Sequence, residues 1–547
     1  MQTVSENWKN SHSRTILNES YVEVSIGIAD PDALADASSQ DNGAVYISNT
    51  PQVVSEVDKN VVPYCTLEQN MWLLNGDRKA IPESDYGDCG YISDVLCDDT
   101  CVFSSKMPVI TINFNEVFTN VIPGITITWG KTYGEFADNF IVRAYNGETI
   151  IAEKEVIGNL SVKSLVVMDI DEYDRITIEV KKWCLPNHRA RVEEIFVGLD
   201  KVYGKTELFN YSHSQSVDPV STSLPKCEIR FSIDNVNGEY NPYNAQGLSK
   251  YLMERQEIKA RYGLKMNDGS VEWIKGGTFY LSEWYAKQNG MTADFTARDL
   301  LEFMSDIYHD KECYDRSQEN ILRYNEIRSN GRTLGYLARA LLKGAGLPKN
   351  SDGSEKWRVD FDLLDSITTF APLPDDSRAN CLQVIANAAR CVMYQDRTGT
   401  LCIEPISFDD TDYKINSFNS YSKSEITLSK PIKQVNVKVY TYTPSSTYGF
   451  DSTTIDVSNI VGASGETITI DNPLITSVEQ AEALGSWIAT HLSHRMTLDS
   501  SWRADVRLDA LDIVSNENEY VTNRVRMTDV EFKYNGAFRG TGKGKVI

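Results

Sequence analysis

Four cysteines within 37 positions, Cys65, Cys89, Cys97 and Cys101, are the densest set of soft metal ligands in the sequence. Thiolates hold zinc in fours, and a loop-rich stretch gains from such a staple. Only Cys97 and Cys101 are closely spaced, as CxxxC, and no paired CxxC occurs. Unbonded thiols are therefore the plain reading, with zinc or a late disulfide as the alternatives. Asp169, Asp171 and Asp174 in DIDEYD gather oxygens of the kind calcium takes. The segment lacks the glycine and terminal glutamate of an EF-hand loop, and a solvated strand end competes with an ion site. His491 and His494 lie three apart near a helix C-terminus, but no third ligand is close, and a cation there already complements the helix dipole. Trp129, Tyr133, Phe136 and Trp183 are candidates for gripping sugar rings. The tryptophans fall in strands and read as core. Tyr133 and Phe136, in the polar loop GKTYGEFADN, are expected to be exposed and to be the possible glycan contacts. No HExxH, GxSxG, P-loop or Rossmann pattern occurs, so no catalytic residue and no cofactor is assigned and the chain reads as a non-enzyme.

The elements that must position these groups are mostly strands. The chain has 547 residues, too many for one core, and 41% hydrophobic content, which excludes intrinsic disorder. Ten cysteines are too few for a disulfide scaffold in a chain this long. A net charge of −23 repels polyphosphate and argues against sequence-independent nucleic-acid binding. No stretch of 18 apolar residues is present, so no membrane span is expected, and the polar N-terminus lacks the apolar run of a secretory signal.

Along the chain, YVEVSIGI (Tyr21–Ile28) alternates as a strand, and residues 61–105 read as irregular. Residues 106–200 carry seven short strands at roughly ten-residue spacing with an Asn146-Gly147 turn, the pattern of a β-sandwich. Residues 201–305 are again strand-rich. The stretch 306–424 holds two amphipathic helices, capped by Thr333 and Ser377, and a hairpin over Cys391–Ile406. Residues 425–547 return to strands, including SWRADVRLDALDIV (Ser501–Val514), around one helix opened by a Ser477/Gln480 capping box. The expected fold is mainly β with a smaller α+β part.

Four passages in order resemble the hub protein of phage tail tips, the family that includes tail-associated lysins. They are SVDPVSTSLPKCEIRFSIDNVNGEYNP (Ser216–Pro242), GGTFYLSEW with TADFTARDLL (Gly276–Trp284, Thr292–Leu301), RANCLQVIANAARCVMYQDRTGTLCIEPI (Arg378–Ile406), and NPLITSVEQAEALGSWI with WRADVRLDALDIV (Asn472–Ile488, Trp502–Val514). The resemblance implies five parts: residues 1–105 as an N-terminal segment with the first part of hub barrel 1; 106–200 as an inserted jelly roll resembling carbohydrate-binding modules; 201–305 as the rest of barrel 1; 306–424 as the middle domain; and 425–547 as barrel 2. It also implies a homotrimeric baseplate hub in the virion tail, with distal tail protein, tape-measure protein and other tip proteins as partners. DNA would pass through it during ejection without specific binding. No lysin domain is expected after the last barrel. Two alternatives remain: an adhesin binding a host surface glycan through the sandwich, and a glycan-cleaving enzyme, for which no motif nominates the two carboxylates it would need. A structural or docking role for the sandwich is preferred over sugar recognition.

Overall fold

The structure, a computed structural model, describes the chain except residues 15–17, 56–60, 69, 74–75, 77, 81–88, 246, 288–289, 315–325, 328, 351–353 and 445–449. Part of the stretch 61–105 expected to be irregular thus lies outside the described residues.

Period-two burial builds the largest element. In the strand Ser20–Ala29, Val22, Val24, Ile26 and Ile28 are buried and the residues between them are not. This strand sits between Gly198–Tyr203 and Glu257–Lys265, antiparallel to both. The sheet continues through Val271–Ala286, Thr292–Arg298, Lys226–Asp234 and Leu208–Ser216, then crosses into Thr522–Tyr534, Phe538–Val546, Met496–Trp502 and Glu425–Leu428. With Ile513–Glu517 and Asp410–Ile415 attached at Thr522–Tyr534, it has 13 strands. The crossing is a full antiparallel ladder from Tyr211 opposite Tyr534 to Ser216 opposite Asp529. One core serves both halves: Val24, Phe231, Tyr262 and Phe279 pack in the same cluster as Tyr413, Trp502, Val530 and Phe532. Strand Phe538–Val546 turns glycines toward the fully buried Trp502. A Cβ at Gly540 would stand 2.9 Å from its indole, and one at Gly542 only 3.2 Å from it.

The sandwich has sheets of four and five strands around its own core, which includes Trp129, Phe140, Ile176, Ile178 and Trp183. Residues 106–200 supply seven of its nine strands; Tyr91–Leu96 and Ser38–Asp41 supply the others. The sandwich therefore draws strands from outside the expected bounds 106–200. Tyr91–Leu96 covers the edge of Arg189–Phe196, and Ser38–Asp41 covers that of Val109–Phe118. The latter reads SSQD with only Ser39 buried, so no apolar alternation marks it as a strand. The hairpin turn also falls one residue later than expected: Asn146 pairs with Thr149, leaving Gly147 and Glu148 as the loop, with Gly147 at φ 55°.

The third core joins the helices Leu334–Lys343 and Arg378–Ala388 to the hairpin Val392–Gln395/Leu401–Glu404. Thr333 and Ser377 cap these helices as expected, accepting from Tyr336 N and Asn380 N. The same core takes in Val435, Val437 and Val439 of strand Ile432–Pro444 and Leu484 and Ile488 of helix Val478–Ser493. The boundary at 424/425 is therefore corrected. Strand Ile432–Pro444 and helix Val478–Ser493 pack with the middle unit, and the last β unit consists of 410–428 and 496–547. Alternation in KQVNVKVYTYT gives a buried face but does not say which core receives it. Ser501–Val514 is not one strand. Beyond Trp502 the chain turns until Ile513, because Asp505 accepts from Arg507 N and Asp509 N donates to Asp512, bonds that compete with a ladder.

Candidate assembly site

Gly198 is the corner at which the sandwich becomes part of the large sheet. Arg189–Phe196 belongs to the sandwich and Gly198–Tyr203 to the sheet, so only Val197 separates them. Gly198 has φ 147°, and a Cβ there would lie 2.7 Å from the Ala29 Cβ and closer still to the Ile28 carbonyl oxygen. Only glycine fits. Around the corner, Thr126 Oγ1 donates to Gly198 O at 3.0 Å and accepts from Asp200 N at 3.0 Å. Lys163 pairs with Asp200 at 2.5 Å. The sandwich is thereby seated on the sheet by backbone, hydroxyl and ion pair together.

Asp169 adds a further tie. Its carboxylate takes Lys250 at 3.1 Å and the Tyr251 hydroxyl, both from the large-sheet unit, and the Tyr251 bond with the Lys250 charge holds it below the ordinary aspartate range. Asp174 instead accepts from Gly147 N at 2.8 Å, and Asp171 is exposed. The structure does not bring these three carboxylates together.

Tyr133 and Phe136 are not exposed platforms. Tyr133 is half-buried; its hydroxyl accepts from Tyr64 N at 2.9 Å, and the Arg191 and Arg78 guanidinium groups stand 4.8 and 5.2 Å from its ring centre. Phe136 packs against the sandwich core. Trp129 and Trp183 are fully buried, edge to face at 6.1 Å. The group that organises this region is Arg191, which sequence reading missed. It pairs with Glu68 at 2.6 Å and Glu135 at 3.1 Å, and Glu135 also accepts from Trp183 Nε1. Burial opposes the guanidinium charge, but the two carboxylates outweigh it and keep Arg191 firmly protonated. The cluster fastens the 61–68 segment to the sandwich. A single Arg in the strand ARVEEIFVG carries no local signal of it; the partners lie 123 and 56 residues away.

The cysteine candidates also separate. Cys65, Cys89 and Cys97 each donate to a different backbone carbonyl, those of Leu73, Ile47 and Leu185, at 2.9, 3.0 and 3.1 Å. Cys101 sits at φ 69° and is partly exposed. Among the described residues no group of three or more His, Cys, Asp or Glu is placed to hold a metal ion. His491 packs edge to face on Trp487 at 5.3 Å; burial and then the Arg526 charge push it down to about 4.

A second joint fixes the middle unit. Arg397, at the tip of the Val392–Glu404 hairpin, reaches the seam of the large sheet. It donates to Asp509 at 2.7 Å, Lys275 O at 3.1 Å and Leu508 O at 2.9 Å. Gln215 donates to the same Asp509 carboxylate at 3.1 Å, and Ala510 N donates to Gln215 Oε1. Burial opposes ionisation of Asp509, and Arg397 more than offsets it. One guanidinium thus ties the middle unit to both halves of the sheet.

No protein-family model and no curated protein sequence matches the chain. Solved structures do. A 43 kDa tail protein of prophage MuSo2 from Shewanella oneidensis is 14% identical with a TM-score of 0.39, over 63% of this chain and 95% of that one. A tail protein from Neisseria meningitidis MC58 is 9% identical with a TM-score of 0.40, over 64% and 94%. The prophage tail protein gp18 from Listeria monocytogenes EGD-e is 10% identical with a TM-score of 0.34, over 63% and 91%. No helix among the described residues is long and apolar enough to cross a membrane.

Proposed function

We propose that the chain is a structural hub protein of a phage-type tail tip, a non-catalytic part that joins tail tube to host-facing tip as a trimer. The observation that carries this reading is the uninterrupted 13-stranded sheet, in which Leu208–Ser216 and Thr522–Tyr534 fuse two β units across one core. Such a body resists shear between its halves, as a part under load at a tail tip must. The ordered motifs from Ser216 to Val514 support the same reading. The charge of −23 suits a ring through which DNA slides without being held. Distal tail protein, tape-measure protein and other tip proteins are the proposed partners, and the virion tail is the proposed location. The sandwich, seated by the Gly198 corner and the Asp169 tie, is proposed as a rigid docking lobe of jelly-roll type. Its predicted sugar-contact residues Tyr133 and Phe136 are engaged within the protein. Mass measurement of the protein from solution and from particles tests the reading. Threefold stoichiometry in the particle is expected; a protein that is monomeric in both counts against it.

A further inference from the structure

The strand Val271–Ala286 outruns one of its neighbours. Glu257–Lys265 pairs with it only from Val271 to Tyr280, and the backbone of Arg255 and Gln256 closes on Leu281. On the other side Thr292–Arg298 follows it to Ala286, with a bulge between Leu281 and Glu283 that re-aims the strand end. Among the described residues no strand pairs with the outer edge of Glu283–Ala286. An unpaired edge is a template for another chain.

A cleft of about 480 Å³ runs at this edge. Met253 and Tyr285, 40% and 59% exposed, contribute apolar surface, and Trp284 is held by stacking on Phe295 with ring centres 6.5 Å apart. Three carboxylates, Glu254, Glu283 and Asp294, line the same cleft. The cation beside them, Arg298, stands 3.5 Å from Glu283 and is shared with Glu228 and Glu302. The cleft is therefore acidic, with aromatic faces that attract guanidinium groups.

We propose that the edge Glu283–Ala286 receives, by strand addition, an extended segment of a partner protein that alternates apolar residues with arginine or lysine. Backbone bonds give the register, and the carboxylates select the charge. The site stands whether or not the chain is a tail hub.

The test uses the full chain and fluorescein-labelled peptides, read by anisotropy. Val-Arg-Val-Arg-Val is expected to bind saturably and at least about tenfold tighter than Val-Glu-Val-Glu-Val. The Glu254→Gln/Glu283→Gln variant, altered only at exposed side chains and checked for fold by circular dichroism, is expected to weaken the basic peptide by about tenfold. N-methylation of alternate amides in the basic peptide is expected to abolish binding. Equal affinity for both peptides, or no saturation up to about 1 mM, overturns the proposal. Unchanged binding after N-methylation overturns strand addition, and a doubling of the chain's mass through this edge overturns the choice of partner.

Discussion

Replacing Gly198 by alanine separates a real corner from an ordinary turn. At φ 147° the new residue enters a region reserved for glycine, which costs about 1–3 kcal/mol. Its Cβ also meets Ala29 at 2.7 Å and the Ile28 carbonyl more closely, and both belong to strand Ser20–Ala29, which Glu257–Lys265 holds on its other edge as far as Ile26. Overpacking of that kind adds about 1–3 kcal/mol, so the total is about 2–6 kcal/mol. Gly147→Ala is the control. Its φ is 55°, its Cβ meets nothing within 4 Å, and its cost is about 1 kcal/mol. Urea unfolding, with amide hydrogen exchange resolved over residues 20–29 and 198–203, reads the difference. Gly198→Ala should lower the midpoint markedly more and release protection on both strands. Equal midpoint shifts for the two variants would falsify the claim that this corner welds sandwich to sheet.

Two further outcomes follow from buried charge. Asp299 caps the turn after Thr292–Arg298, accepting from Cys227 N and Leu301 N, and burial pushes its pKa up to about 7 against those two bonds, with Glu302 adding to the rise and Arg298 opposing it. A carboxyl raised from 3.8 favours the folded state fully below pH 3.8 and loses that contribution as pH rises through about 7, a change worth about 4 kcal/mol. Asp299→Asn should flatten the fall in stability between pH 4 and 7; a slope identical to that of the parent would refute the assignment. Arg397→Ala should cost about 1–3 kcal/mol because it leaves the half-buried Asp509 without its charge partner, and adding Asp509→Asn should recover part of the loss. Simple additivity of the two changes in denaturant melts would show that the pair is not coupled.

Strand positions were the most legible part of the molecule. Val22, Val24, Ile26 and Ile28 show their burial by period alone, and Thr333, Ser377 and Ser477 mark helix starts because a capping hydroxyl acts within three residues. What failed was partnership at a distance. The face of KQVNVKVYTYT was readable, but not that helix Val478–Ser493 and the middle unit would receive it. Ser38–Asp41 became a strand only because Val109–Phe118 offered an edge. The candidate residues failed for the same reason. Tyr133 lies in a polar loop by sequence, yet Arg191 and Tyr64 enclose it from remote positions. Asp169 looked like one of a trio, and its true partners are Lys250 and Tyr251.

The pairing of Ala29 with Gly198 bears on how the chain is made. Strand Ser20–Ala29 is synthesised before both its neighbours, which come after the sandwich, a delay of tens of seconds at about 5–20 residues per second. During that time an apolar strand waits with two open edges. A sandwich that folds as it emerges turns a gap of roughly 170 residues into two chain ends already side by side, which removes most of the loop-closure entropy of the first long-range pairing. The insertion then works as a folding clamp as well as a lobe. Strand Leu208–Ser216 gains its first partner, Lys226–Asp234, locally, but its second, Thr522–Tyr534, follows about 300 residues later, so the fusion of the two β units carries the largest loop-closure cost in the sheet.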